Sequence, residues 1–247
     1  MSLASTYLSR KELLADKLED KGVTGYSGSD GLTTLIEAID GIPSGSSNII
    51  WEDIPNSDKS RDYADISLQG DSSDRHYLPM SYDETNQRYS IKATIDEGNH
   101  YMKIIDAATG LDHISFSAEV MTDVLDSNNR FGLVVTDKTG RRSESFQWEN
   151  NQIKHIGFNN STVEDTISDA TTISDLAENT WYKMRWVSDD SYYIFLLSEM
   201  DGTPLMHFMD NYTSRISGAS VRMYGLYYLN FYPSATKYIR NIQVKEL

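Results

Sequence analysis

The chain contains no cysteine, so it holds no disulfide, thiolate metal site, iron–sulfur cluster or cysteine nucleophile. Basic residues are also scarce: 22 against 37 acidic ones, for a net charge of −15. That balance argues against a nucleic-acid binder, which must neutralise phosphates with lysine and arginine. It argues against docking on an anionic membrane for the same reason. No run approaches the roughly 20 apolar residues of a membrane-spanning helix. The most apolar stretch, Tyr192 to Leu197, is strand-sized. The first residues, Met1 to Lys11, lack the apolar centre of a secretory signal. What remains is a globular composition, 39% hydrophobic and 24% charged, in 247 residues, long enough to build a core without staples. A neutral, polar or protein partner suits it best.

Residues 1–42 read as helical. Leu3, Tyr7, Leu14 and Leu18 fall within about 60° of one another on a helical wheel, a narrow stripe. Gly22 is a candidate C-cap, and Ser29 or Asp30 a candidate N-cap for a second helix. Leu32, Leu35, Ile36 and Ile39 form the apolar face of that helix, and Gly41 and Pro43 stop it. Two such short helices cannot hold a core alone. Their stripes are buried on the rest of the chain, on copies of themselves, or on a larger assembly. Their terminal position and the following Ser/Gly-rich residues 43–48 read as an anchoring or oligomerisation element on a linker.

From Ile49 to Leu247 the hydrophobic period becomes two. Arg88 to Ile95, Ile114 to Val120 and Trp181 to Val187 alternate, and Phe131 to Val135 is a short apolar run. Glu149-Asn150-Asn151 and Asp201-Gly202 are turn signals between such runs. Ten to thirteen short strands with no further helix predict a mainly β domain over 49–247, most simply an antiparallel β-sandwich. Residues 159–180 are polar and acidic, with Thr-Ile-Ser-Asp occurring twice, and read as a long surface loop.

Three stretches carry a resemblance. His113 to Val120 followed by Arg130 to Val135, then Asn179 to Val187, then Val221 to Leu226 with Tyr238 to Val244, resemble the concanavalin A-like jelly roll, in particular its laminin-G-like and glucanase-like members. The resemblance spans about 110–247 and implies an antiparallel jelly-roll β-sandwich. The segment Leu14-Ala15-Asp16-Lys17-Leu18 … Lys21-Gly22-Val23 … Leu32-Thr33-Thr34-Leu35-Ile36 … Ile39 is similar to a short helical element at the start of tailed-virus structural proteins. That second resemblance implies a virion component (tail, fibre or decoration protein), with self-association, for example as a trimer, and virion partners through residues 1–42. It places the protein on a virion, extracellular after lysis.

Hydrolases resembling this family carry Glu-x-Asp-x-Glu or Glu-x-Asp-x-x-Glu on one strand, giving a nucleophile and an acid/base. No such pattern occurs here. Glu199-Met200-Asp201 is the nearest fragment and reads as a solvated hairpin. The five histidines are scattered, without metal-ligand spacing. Calcium, common in jelly-roll modules, would draw on Asp96, Glu97, Asp106 and Asp112, but none belongs to an EF-hand-type loop, and no cofactor is expected. Residues 181–247 hold 7 basic and 6 acidic side chains, so the acidity lies upstream of a nearly neutral, tyrosine-rich third. Tyrosine and tryptophan offer sugars an apolar plate and a polar handle. Tyr227, Tyr228 and Tyr232, in a loop-like stretch, and Trp148, beside a hairpin, are therefore the candidate glycan-binding residues. The sequence expectation is a non-enzymatic virion protein displaying a jelly roll for attachment to cell-surface glycan. The alternatives are a glycan-degrading hydrolase or lyase or its carbohydrate-binding module, and a purely architectural decoration.

Overall fold

The computed structural model describes residues 11–12, 14–16, 18–20, 23–41, 49–52, 64–67, 75–77, 80–92, 99–106, 114–125, 129–137, 143–149, 152–159, 163–166, 171–172, 176–188, 192–211, 222–230 and 235–246. Two antiparallel sheets face each other, as the alternating runs predict. The first sheet contains β1 (Ile49–Glu52), β4 (Met80–Asp83), β5 (Arg88–Lys92), β7 (Ile114–Thr122), β13 (Tyr182–Ser188), β14 (Tyr192–Glu199), β15 (Pro204–Asn211) and β17 (Thr236–Glu246). Its order is β15-β14-β13-β7-β17-β5-β4, and β1 also pairs with β17. The second sheet contains β2 (Ala64–Ser67), β3 (Arg75–Tyr77), β6 (Asn99–Asp106), β8 (Asn129–Asp137), β9 (Ser143–Glu149), β10 (Gln152–Asn159) and β16 (Arg222–Asn230). It also takes in β11 (Val163–Thr166) and β12 (Thr171–Thr172), both paired with β10. Its order is β11-β10-β9-β8-β16-β6-β2-β3. The arrangement is an antiparallel jelly-roll sandwich.

The core follows from the period of two. On β13, Tyr182, Met184 and Trp186 point inward, and on β14, Tyr193, Phe195 and Leu197 do so. They meet Phe131, Leu133, Val135, Phe146 and Trp148 from β8 and β9. Phe146 is stacked between Phe195, 4.2 Å between ring centroids, and His155, 4.6 Å. The polar imidazole is accommodated there because its Nε2 and the Tyr193 hydroxyl share a 2.8 Å hydrogen bond.

The helical segment departs from its expected use. Residues 11–12, 14–16 and 18–20 are helical (α1), and α2 spans Leu32–Glu37, continuing as a 3₁₀ turn, Ala38–Gly41. Leu14, Leu18, Leu32, Leu35, Ile36 and Ile39 are buried with Val187, Ile194 and Leu196, which project from the outer face of β13 and β14. The described residues of the stripe are thus buried on the chain's own sheet. A narrow apolar stripe demands burial but does not name its cover, and a sheet with three aliphatic residues on its outer face supplies one. Leu3 and Tyr7 lie outside the described residues, as do residues 42–48. The turn between the helices is pinned by the backbone N–H of Ser27 donating to Asp30 Oδ2, 2.6 Å, and by Lys11 Nζ donating to the Asp30 carbonyl, 2.7 Å. Gly31 rather than Ser29 or Asp30 is the N-cap of α2, because the Asp30 carboxylate is used in this turn. Gly28 is obligatory: a Cβ there would lie 2.9 Å from Glu12 Cα.

Two further expectations change. The 159–180 stretch contributes β11 and β12, because β10 leaves an edge for its Thr- and Val-bearing residues to pair with. Tyr227 and Tyr228 belong to β16, the central strand between β8 and β6, rather than to a loop.

Removing buried side-chain volume from the helical cap tests its docking. Leu35→Ala should cost about 2–5 kcal/mol in urea unfolding; a cost under about 0.5 kcal/mol would place the cap off the sheet. Lys237 on β17 supplies a second prediction. Burial lowers its pKa from 10.5 to about 7, against the opposing pull of Asp123. Between those values the unfolded chain binds the extra proton, so stability gains from this group as pH rises from about 7 toward 10.5. Lys237→Met should remove that part of the pH dependence and raise the melting temperature at pH 7, read as the wild-type-minus-variant difference in thermal scans.

Candidate functional site

The outer face of the first sheet is apolar where the helices cover it and polar beyond. Alternation puts Lys183, Arg185 and Val187 of β13 on this face, and Ile194, Leu196 and Ser198 of β14. The register sets Lys183 opposite Ser198 and Arg185 opposite Leu196. These four side chains, with Met200, Asp201 and Gly202 of the β14–β15 turn, line a pocket of about 230 Å³. Along the hairpin the lining runs from Arg185 and Leu196 through Lys183 and Ser198 to the turn.

Each wall is held. Arg185 is 2% exposed, and its Nη1 donates to the carbonyl of Ile36 in α2, so the helical cap orients the guanidinium. The turn is closed by Gly202 N–H donating to the Glu199 carbonyl, 3.1 Å, and Glu199 N–H donating to the Thr203 carbonyl, 2.9 Å. Gly202 has φ +92°, a conformation that favours glycine. Asp201 Oδ1 accepts the backbone N–H of Thr203, 2.9 Å, and hydrogen bonds from Thr203 hold its pKa below the usual carboxylate value. The carboxylate is therefore ionised at neutral pH. Met200 is 42% exposed, and together with Tyr26 it makes up the exposed large hydrophobic residues among those described.

A second polar group adjoins the pocket. Glu119 on β7 lies opposite Lys183 in register and opposite Arg240 of β17. Its Oε2 takes the Arg240 Nε–H at 2.6 Å and its Oε1 the Asn241 amide at 2.8 Å. The Arg240 guanidinium stacks 4.2 Å over the Trp181 ring. Asn241 has φ +50°, where β17 breaks register between Arg240 and Gln243, so the chain accepts a strained conformation to aim this amide at Glu119.

The residues chosen from sequence do not assemble here. Trp148 is 2% exposed and packs edge-on against Tyr182, 5.2 Å between ring centroids, so it is a core residue. Its place in the inward Phe146–Trp148 alternation outweighs its nearness to a hairpin. The backbone of Tyr227 and Tyr228 lies in β16, and Tyr232 is outside the described residues. Of the calcium candidates, Asp106 ends β6 and Asp96, Glu97 and Asp112 are outside the described residues. Among the described residues no three His, Asp or Glu side chains group as metal ligands, and no helix is long and apolar enough to cross a membrane. The pocket residues were missed because they come together only through the β13–β14 register. The available signal was two cations two residues apart, interleaved with the apolar Tyr182, Met184 and Trp186.

No protein-family model matches the chain, and no curated protein matches it. Solved structures share its fold. A laminarinase from Flavobacterium sp. UMI-01 is 9% identical, with 81% of this chain and 100% of that one covered at a TM-score of 0.54. The carbohydrate-binding module CBM66 from Bacillus subtilis is 11% identical, with 74% and 95% covered at 0.50. The pseudo β-1,3-glucanase of Mycobacterium tuberculosis is 12% identical, with 81% and 100% covered at 0.50. At such identities the likeness establishes the galectin- or concanavalin-like β-sandwich. None of the three is a virion protein, and the virion resemblance of the N-terminal segment gains no support from them.

Trp148→Ala separates the two roles considered for that residue. It should destabilise the fold by about 3–5 kcal/mol, measured by chemical unfolding. Unchanged stability would return Trp148 to the surface.

Proposed function

We propose that the protein is a non-catalytic glycan-binding module whose ligand enters the pocket between β13, β14 and their turn. The observation that carries this reading is the composition of that pocket. Met200, 42% exposed, offers an apolar patch to the C–H face of a sugar ring, above a floor that includes the buried Leu196. Lys183, Arg185, Ser198 and Asp201 offer hydrogen-bond donors and an ionised acceptor to its substituents. A concave, half-apolar site with a few convergent polar groups is the usual form of a small-molecule site. The volume of about 230 Å³ suits a single ring rather than a long chain. Sugar-related proteins share this fold, among them CBM66 and the laminarinase, which is supporting context and not an assignment.

The carboxylates of the lining support binding over cleavage. Glycoside hydrolysis uses a pair of carboxyl groups, one of which must donate a proton. Asp201 is the carboxylate among the described lining residues, and its Oδ1 is engaged by the Thr203 backbone N–H, which supports the binding reading. This reading takes the carbohydrate-binding module, an alternative in the sequence reading, in place of virion attachment. The helical segment that was to serve as an anchor is packed on the sandwich itself.

A glycan array followed by calorimetry on the full chain tests the proposal. One class of sugar should bind in the micromolar-to-millimolar range, and Lys183→Ala should weaken it about tenfold while leaving the melting temperature in place. An array with no positive spots, or release of reducing ends from a bound polysaccharide, would overturn it.

A further inference from the structure

Resting on the glycan-binding reading above, we infer that the pocket is one end of a longer site. Arg240 and Asn241, beside it on the same face, form a second subsite that takes a further neutral ring of an oligosaccharide. An irregularity in β17 carries this. Strand alternation sends Ile239 into the core and Arg240 outward, and would send Asn241 inward again. Instead the register shifts between Arg240 and Gln243, and Asn241 takes φ +50° and is exposed. Ile242 and Val244 then return to the core. The strand thus uses an extra residue, in a conformation that few side chains adopt, to set two polar side chains next to each other on the outer face. Residues held in this way cluster where ligands bind.

The pair presents what sugar hydroxyls need. Glu119 accepts the Arg240 Nε–H at 2.6 Å and an Asn241 amide N–H at 2.8 Å, so one carboxylate orients both side chains. The Trp181 ring, 4.2 Å from the guanidinium carbon, fixes the guanidinium plane. Among the described residues no partner takes the N–H groups on Arg240 Nη1 and Nη2, and none donates to Asn241 Oδ1. The Arg240 side chain is 31% exposed and its Nη groups reach solvent. A hydroxyl both donates and accepts, so two neighbouring ring hydroxyls match a guanidinium edge beside an amide oxygen. Glu119 balances the Arg240 charge, so the subsite offers hydrogen bonds without a net charge. A neutral ring fits it better than an acidic one, which the net charge of −15 also repels.

The register ties this subsite to the pocket. Lys183 lies opposite Glu119, and Glu119 opposite Arg240. Pocket and subsite are therefore two strand spacings apart, about 10 Å. A short oligosaccharide laid across the strands covers that distance. One ring fills the pocket, whose volume of about 230 Å³ suits one, and the chain continues over β7 to Arg240 and Asn241. The guanidinium and the amide are already oriented, so little freedom is lost when a ring arrives. Once the first ring is seated, the second contact is intramolecular and adds affinity that neither subsite has alone.

The test compares the monosaccharide, disaccharide and tetrasaccharide of neutral gluco-, manno- and galacto-series by calorimetry against the full-length protein. The series of any other sugar positive on the array is added, and an oligogalacturonate is the acidic control. In the series that binds, the tetrasaccharide should bind about tenfold or more tightly than the monosaccharide. Asn241→Gly accepts φ +50° without strain, so it should keep the melting temperature and lose most of that gain. Arg240→Gln should lose it too, and both variants should leave the monosaccharide's affinity nearly unchanged. A merely structural bulge would move the melting temperature and not the ratio. Equal affinity for monosaccharide and tetrasaccharide, a gain that both variants keep, or an oligogalacturonate bound more tightly than every neutral series would overturn the inference and leave the glycan-binding reading standing. Binding of none of them, with no other sugar bound on the array, would overturn both.

Discussion

The β13–β14 hairpin is buried on both faces, and the rest of the structure depends on that constraint. Strand alternation divides its residues into an inward set, Tyr182, Met184, Trp186, Tyr193, Phe195 and Leu197, and an outward set that includes Val187, Ile194 and Leu196. The inward set builds the sandwich core around Phe146. The outward set builds a second core under α1 and α2. A slip of one residue in this hairpin would exchange the two sets and disorder both cores at once.

The helical cap ends where the outward residues become polar, and the pocket begins there. Arg185 bridges the two regions: its strand belongs to the sandwich and its Nη1 is held by the carbonyl of Ile36 in the cap. Burying a guanidinium requires compensation, and the cap's carbonyl supplies part of it. The packing that orients Arg185 is therefore the same packing that buries the described part of the cap's apolar stripe. A short segment whose stripe looks like an oligomerisation device packs, in its described residues, on the sheet that carries the pocket.

Much of the fold was legible because a half-buried strand writes itself as alternation. Tyr182 to Val187 and Phe116 to Val120 could be placed by inspection, and the Asp201-Gly202 turn is where the glycine was needed. Three features were not legible, each for a physical reason. The stripe from Leu14 to Ile39 showed that burial was required without showing which surface provides it. Trp148 combined two cues, an inward alternation and a neighbouring hairpin, and only packing decides between them. The pocket depends on Lys183 meeting Ser198 and Arg185 meeting Leu196, pairings set by a register that no local pattern prints. An aromatic count points to Tyr227 and Tyr228, whereas the pocket is lined by Lys183 and Arg185, which stand between aromatic and apolar residues of β13.

The central claim is that ligand recognition resides beside the helical cap, on the outer face of the first sheet. Backbone amide shifts of the labelled protein, recorded while a sugar selected on the glycan array is titrated in, locate the site residue by residue. The account predicts the largest perturbations at 183–185 and 196–202, with a smaller response at Ile36 transmitted through Arg185. Perturbations confined to β16, with 183–202 unmoved, would contradict it.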